Sequence, residues 1–191
     1  MAKRAPGERR KEILQVLASM LENPKGEKIT TALLAARLDV SEAALYRHFA
    51  SKAQMFEGLI EFIEESVFTL VNQIQTEEPD GAKQVEKIVA MLLAFAHKNQ
   101  GMTRVLIGDA LVNEDERLQA RMNQLHDRLE SSLRQSARLA MTAGALPGLD
   151  AAAYANAVIC FVAGRWHQFA KSGFRKSPIE NLPQAWQVFA G

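Results

Sequence analysis

Residues 29–49 read Ile29-Thr30-Thr31-Ala32-Leu33-Leu34-Ala35-Ala36-Arg37-Leu38-Asp39-Val40-Ser41-Glu42-Ala43-Ala44-Leu45-Tyr46-Arg47-His48-Phe49. Two short helical patterns stand on either side of Asp39-Val40. Thr30 or Thr31 can cap the first, and Leu33, Leu34 and Leu38 are its inward positions. Ser41 caps the second, which the pattern carries to about His48. Two short helices joined by a turn of about three residues form a helix-turn-helix, whose second helix enters the major groove of DNA. Leu33, Leu34, Leu38, Val40, Ala44, Leu45 and Phe49 are expected to form a small core with the preceding helix. In that helix Ile13, Leu14, Leu17, Met20 and Leu21 recur at helical spacing, and Asn23-Pro24 stops it.

The remaining side of the second short helix carries Ser41, Glu42, Ala43, Tyr46, Arg47 and His48. Small side chains at its start let the backbone approach base edges, Tyr46 and His48 can bond phosphates, and Arg47 can reach phosphate or guanine. Thr30 and Thr31 stand at a helix N-terminus, where hydroxyls and free N–H groups suit a phosphate. Ser51 caps a fourth helix, with Gln54 at the capping-box position, and Lys52 begins it beside the same surface. The basic tail from Lys3 to Lys11 can add backbone or minor-groove contacts. The structural alternatives are Tyr46 and His48 packed at a core edge and Thr30 as a plain cap. Glu42 repels phosphate, so it either reaches the groove floor or points away.

Taken over the whole chain, charge opposes a nucleic-acid partner, because the 191 residues carry a formal net charge of only +1. Residues 1–52 hold ten Lys/Arg against six Asp/Glu; by difference from the totals of 23 and 22, residues 53–191 hold thirteen against sixteen. A +4 module, residues 1–52, is thus joined to a −3 body, residues 53–191, and the whole-chain sum conceals the basic end. The single cysteine, Cys160, excludes an internal disulfide and a cysteine-based zinc site. No apolar run approaches the ~20 residues a membrane span needs, and the N-terminus lacks an apolar signal-peptide core. The four histidines make no metal-spaced pair on a helix face, and a phosphate loop or nucleophile elbow is lacking. A cytoplasmic DNA-binding protein, not an enzyme, with neither metal nor cofactor, is the expectation.

The body reads as helix throughout, so the fold class is all-α. Breaks fall at residues 77–81, at Gly101, and at Gly144, Pro147 and Gly148; Asp150 caps the eighth helix, and residues 178–190 form a short last one. At about 100° per residue, Phe56, Leu59, Ile63, Val67, Leu70 and Ile74 form the fourth helix's core stripe, with Phe62 about 100° away. On the fifth helix Val85, Ile88, Leu92, Ala96 and Asn99 define the inner line. Lys87, Met91, Ala94 and Lys98 share another face, which suits an acidic peptide with apolar anchors or else simply meets a neighbouring helix or solvent. The eighth helix, 151–169, is apolar nearly all round. With Leu182, Trp186 and Phe189 of the last helix it is expected to form a two-fold dimer interface; the alternative is the central helix of a monomer.

The run Ile29 to Ala32, Val40 to Phe49 and Ser51-Lys52 resembles the DNA-binding domain of the tetracycline-repressor (TetR) family. Glu12-Ile13-Leu14, Met55-Phe56, residues 59–64 and Met122-Asn123-Gln124-Leu125 are similar to its bacterial nucleoid-occlusion branch (SlmA type), densely through about residue 135. Asp39 replaces the family's usual turn glycine, and Ala50 a common proline. The resemblance implies a homodimer on palindromic double-stranded chromosomal DNA, associated with the nucleoid. It also implies a second partner, the C-terminal tail of the tubulin-like cell-division GTPase, whose assembly over the nucleoid it would inhibit. By position it assigns that contact to Phe62, Leu70, Met91, Ala94, Lys98 and Asn99, although the family tends to have a basic residue at 70 and glycine at 94. The competing reading is a ligand-gated repressor of the same fold, with Met91, Phe95, His126, Trp166 and His167 around a pocket.

Overall fold

A computed structural model describes residues 6–22, 29–146, 148 and 150–190. Among the described residues the chain is all helix: α1 (Pro6–Glu22), α2 (Thr31–Arg37), α3 (Glu42–Tyr46), α4 (Lys52–Glu77), α5 (Gly81–Lys98), α6 (Gln100–Leu106), α7 (Glu116–Thr142), α8 (Ala151–Lys171) and α9 (Leu182–Trp186), with a 3-10 turn at Asp109–Leu111. The expected stop at Asn23-Pro24 and the break at Pro147 lie outside the described residues, as do Lys3 and Arg4 of the basic tail.

Side-chain caps fix several helix starts. Ser51 accepts a hydrogen bond from the Gln54 N–H at 3.2 Å, and Gln54 Oε1 reaches back to the Ala50 N–H at 2.8 Å, one residue earlier than a standard capping box. Asp80, Asp115 and Asp150 each accept backbone N–H bonds at the starts of α5, α7 and α8.

One continuous core runs from α1 to α9. Phe56, Leu59, Ile63 and Val67 are buried as expected, but Leu70 is 39% exposed and Val71 takes its place. The buried row 59, 63, 67, 71 moves in steps of four, the row along which a neighbouring helix packs, and Leu70 falls off it. Leu33 departs likewise: it is exposed, while Leu34 and Ala35 are buried.

Gly101 does not close α5; it lies inside α6, which begins immediately after α5. A Cβ at this position would come 1.9 Å from the Ala18 carbonyl oxygen. The glycine is therefore a site of close approach between α1 and α6, which binds the first helix of the helix-turn-helix module to the body.

On α8, Tyr154, Ala155, Val158, Val162, Trp166 and Phe169 are buried. The opposite face, with Ala153, Ala157, Cys160, Gly164 and His167, is exposed in the single chain, so this helix is not buried all round. The last helix folds onto α8 instead of standing free. Trp186 is buried and stacks on Phe189 at 5.4 Å, Phe189 meets Phe161 at 5.0 Å, and the Tyr154 hydroxyl donates to the Phe189 carbonyl at 2.9 Å. Burial pushes the pKa of the Tyr154 hydroxyl up to about 12.

Candidate nucleic-acid interface and the adjoining groove

The α2–α3 turn is held by its own backbone. Asp39 takes φ 53°, and the Val40 N–H donates to the Ala35 carbonyl at 3.0 Å. Thr30 caps α2, accepting from the Leu33 N–H at 3.1 Å; Ser41 caps α3, accepting from the Ala44 N–H at 3.3 Å. Leu45 and Phe49 are buried in the same core as residues of α1 and α2. That burial leaves Ser41, Glu42, Ala43, Tyr46 and Arg47 outward, with His48 half-buried. The helix proper ends at Tyr46, and Arg47 and His48 lie in the turn after it.

Glu42 stays exposed on this face, but its carboxylate is engaged within the module. The Thr31 hydroxyl donates to its carboxylate at 2.6 Å, and the Tyr46 hydroxyl donates to Thr31 Oγ at 3.5 Å. This short chain ties the start of α3 to the start of α2 and fixes the Tyr46 ring beside Thr31. The carboxylate that most threatens a phosphate partner is thereby engaged by a hydroxyl.

Two cations have partners within the chain that the sequence does not show. Arg10 stacks its guanidinium 4.3 Å from the Phe49 ring centroid and donates to the His48 carbonyl at 3.3 Å, so it buttresses the end of the reader helix. Lys52 does begin α4, but its ammonium is paired with Glu114, in the turn before α7, above the Phe56 ring. Contacts that bridge 38 and 62 residues have no local signature, so Arg10 and Glu114 were invisible to pattern reading.

The residues expected to meet a second partner occupy neighbouring helices. Phe62 on α4 is 45% exposed; on α5 Met91 and Ala94 are half-buried and Lys98 exposed. Lys87, at the other end of this face, is paired with Glu78 at 2.6 Å. That contact is the main force holding the Glu78 carboxyl below the usual carboxylate range. Asn99 joins α5 to α6 and donates its side-chain amide to the Phe95 carbonyl at 2.7 Å. Phe62 and Asn99 share a cavity of about 410 Å3 with Leu59, Met102 and, from α1, Lys11, Leu14 and Gln15. Leu70, Met91, Ala94 and Lys98 lie outside its lining. The α1 and α6 walls were missed in sequence because periodicity shows which face a residue occupies but not which helix lies opposite.

Two of the polar groups proposed for a ligand pocket, Trp166 and His126, are already engaged. Trp166 is fully buried and its indole N–H donates to the Leu92 carbonyl at 3.2 Å. His126 Nε2–H donates to the Leu106 carbonyl at 2.9 Å, with its ring 5.8 Å from that of Trp166. Burial holds the His126 pKa below the ordinary histidine value. His167 is exposed. Among the described residues, no helix is long and apolar enough to cross a membrane, and no group of His, Cys, Asp or Glu could hold a metal ion.

A three-helix reader on a helical body is the architecture of a TetR-type regulator. Residues 27–59 match the model of bacterial regulatory proteins of the tetR family, and residues 80–191 match that of the SlmA-like, tetracyclin repressor-like C-terminal domain. A TetR transcription regulator from Haloarcula marismortui superposes with a TM-score of 0.80 at 16% identity, covering 96% of this chain and 97% of that one. A TetR-family regulator from Thermus thermophilus gives 0.77 at 20% identity, covering 93% and 96%. These two share the fold. Similarity of sequence goes further. The nucleoid occlusion factor SlmA of Alteromonas mediterranea is 50% identical over 182 residues, 95% of this chain and 93% of that protein. That of a Marinomonas species is 49% identical over 184 residues, 96% and 93% respectively. The chain belongs to the SlmA family of nucleoid occlusion factors, within the TetR-type regulators. It is a regulator, not an enzyme.

Proposed function

We propose that the protein binds palindromic double-stranded DNA on the nucleoid as a homodimer. While bound there it engages the C-terminal tail of the tubulin-like cell-division GTPase and inhibits that protein's assembly. DNA contact falls to Thr30, Thr31, Ser41, Ala43, Tyr46, Arg47, His48 and Lys52, the tail to Phe62, Leu70, Met91, Ala94, Lys98 and Asn99. The reader is residues 1–52, and residues 53–191 dimerise and bind the partner.

The observation that carries this reading is the cavity beside Phe62 and Asn99. Its walls come from α1, which belongs to the reader, and from α4 and the α5–α6 junction, which extend into the body. A tail seated there touches both parts at once, so DNA that shifts α1 by even a small amount changes the seat. Apolar walls with Lys11 at the rim and Lys98 nearby in sequence suit an acidic segment with apolar anchors. The exposed face of α8, rich in small residues, lets two copies of that helix approach closely about a two-fold axis. Two recognition helices then address half-sites about one DNA turn apart.

A labelled peptide with the tail's sequence tests the site. It should bind the protein–DNA complex, and Met91→Ala or Phe62→Ala should weaken binding about tenfold while leaving DNA affinity unchanged. Release of DNA by a small hydrophobic molecule, with no peptide binding, would favour the ligand-gated repressor.

A further inference from the structure

The helix-turn-helix module also touches the body through a pair of charges, Lys52 and Glu114. Lys52, the first residue of α4, follows the recognition helix by a few positions and faces Glu114 across the junction. Both side chains are largely shielded, 21% and 14% exposed. The body presents Glu114 deliberately: Asn113 takes the left-handed conformation at φ 69°, and the Glu114 N–H donates to the Leu111 carbonyl at 3.0 Å. Further along, Arg117 pairs with Glu57 at 3.1 Å and Arg121 with Glu64 at 2.7 Å, so α4 and α7 stay joined without the first rung.

We propose that Glu114 is an internal stand-in for DNA phosphate. It holds Lys52 while the protein is free of DNA and surrenders it to a backbone phosphate when the reader docks. The inference rests on DNA binding by the helix-turn-helix. One ammonium cannot serve a partly buried carboxylate and a phosphate with full strength, so DNA affinity is lowered by the strength of the pair that must open. Opening it also removes one of the contacts between reader and body, at the lower end of the same helix that carries Phe62. Glu114 is a positioning residue: it acts on DNA only through Lys52.

The test uses the full-length protein and a duplex containing the palindrome that the unmodified protein enriches from random sequence. Affinity is read by fluorescence anisotropy across a salt series. Glu114→Gln should tighten binding about three- to tenfold, the scale of a partly shielded ion pair. In a Lys52→Met background the same change should move affinity less than about twofold. Lys52→Met alone should reduce the salt slope by about one, the signature of one lost phosphate contact. Glu116→Gln removes an equal charge two residues away and should have the smaller effect, because Glu116 is not paired with Lys52. Unchanged or weaker binding by a folded Glu114→Gln protein overturns the proposal. So does a gain that persists without Lys52, since that would be simple long-range repulsion. If Glu114→Gln does not fold, Glu114→Asp serves, with a smaller gain expected and no gain as the contrary result. Failure of the unmodified protein to enrich any duplex removes the DNA-binding reading itself, which is a distinct outcome.

Discussion

Single side chains decide whether the reader surface works. Tyr46 is 45% exposed, yet its hydroxyl is tied to Thr31, so the ring is set in place before DNA arrives. Tyr46→Phe should weaken DNA binding severalfold and Tyr46→Ala by about tenfold, roughly one hydrogen bond plus its packing. Electrophoretic mobility shift at physiological salt checks this; unchanged affinity for Tyr46→Ala would remove the residue from the interface. Most of this surface was legible in 21 residues of sequence, because the caps at Thr30 and Ser41 and the buried Leu45 and Phe49 act locally. What Glu42 does was not, since its partner Thr31 lies on another helix.

His126 gives a second test at this scale. Its folded pKa lies below the unfolded one, so the unfolded chain binds more protons between the two values. The contribution to stability is therefore complete above the ordinary histidine value and lost as pH falls through that of the folded state. Thermal melts from pH 8 to 5 should show this decline, and His126→Gln should flatten it even though it also lowers the melting temperature at pH 7. Equal pH slopes in the two proteins would contradict the assignment.

Helices couple through a few close approaches. Gly101 of α6 lies against the Ala18 carbonyl of α1, where a Cβ would overlap at 1.9 Å. Gly101→Ala should cost ~3 kcal/mol, because the obstacle is backbone that cannot rotate away. Chemical denaturation checks the value, and a loss below about 0.5 kcal/mol would show that the two helices can separate freely. The sequence suggested a helix end at this glycine, as glycine usually does there. Only the packed structure distinguishes a terminating glycine from one that makes room for a neighbour. Leu70 and Leu33 teach the same lesson about stripes: periodicity places a residue within about a turn's width of the core, and the crossing direction of the next helix settles which side it takes.

At the scale of the molecule, a small basic reader and a mildly acidic body share one continuous core, and the candidate partner cavity lies where they meet. The number and order of helices and their type were readable from caps and periodicity. The cavity was not, because it depends on α1 and α6 lying opposite Phe62. In the proposed function DNA and the division GTPase are bound together, and the second event depends on the first. Sedimentation of GTP-driven polymers of the division GTPase, with and without palindromic duplex, is the decisive assay. This protein with duplex should lower the sedimented fraction, omitting the duplex should weaken the effect, and Lys98→Glu should abolish it without altering DNA affinity. Equal sedimentation in all arms, by a protein that still binds the duplex, would rule the coupling out.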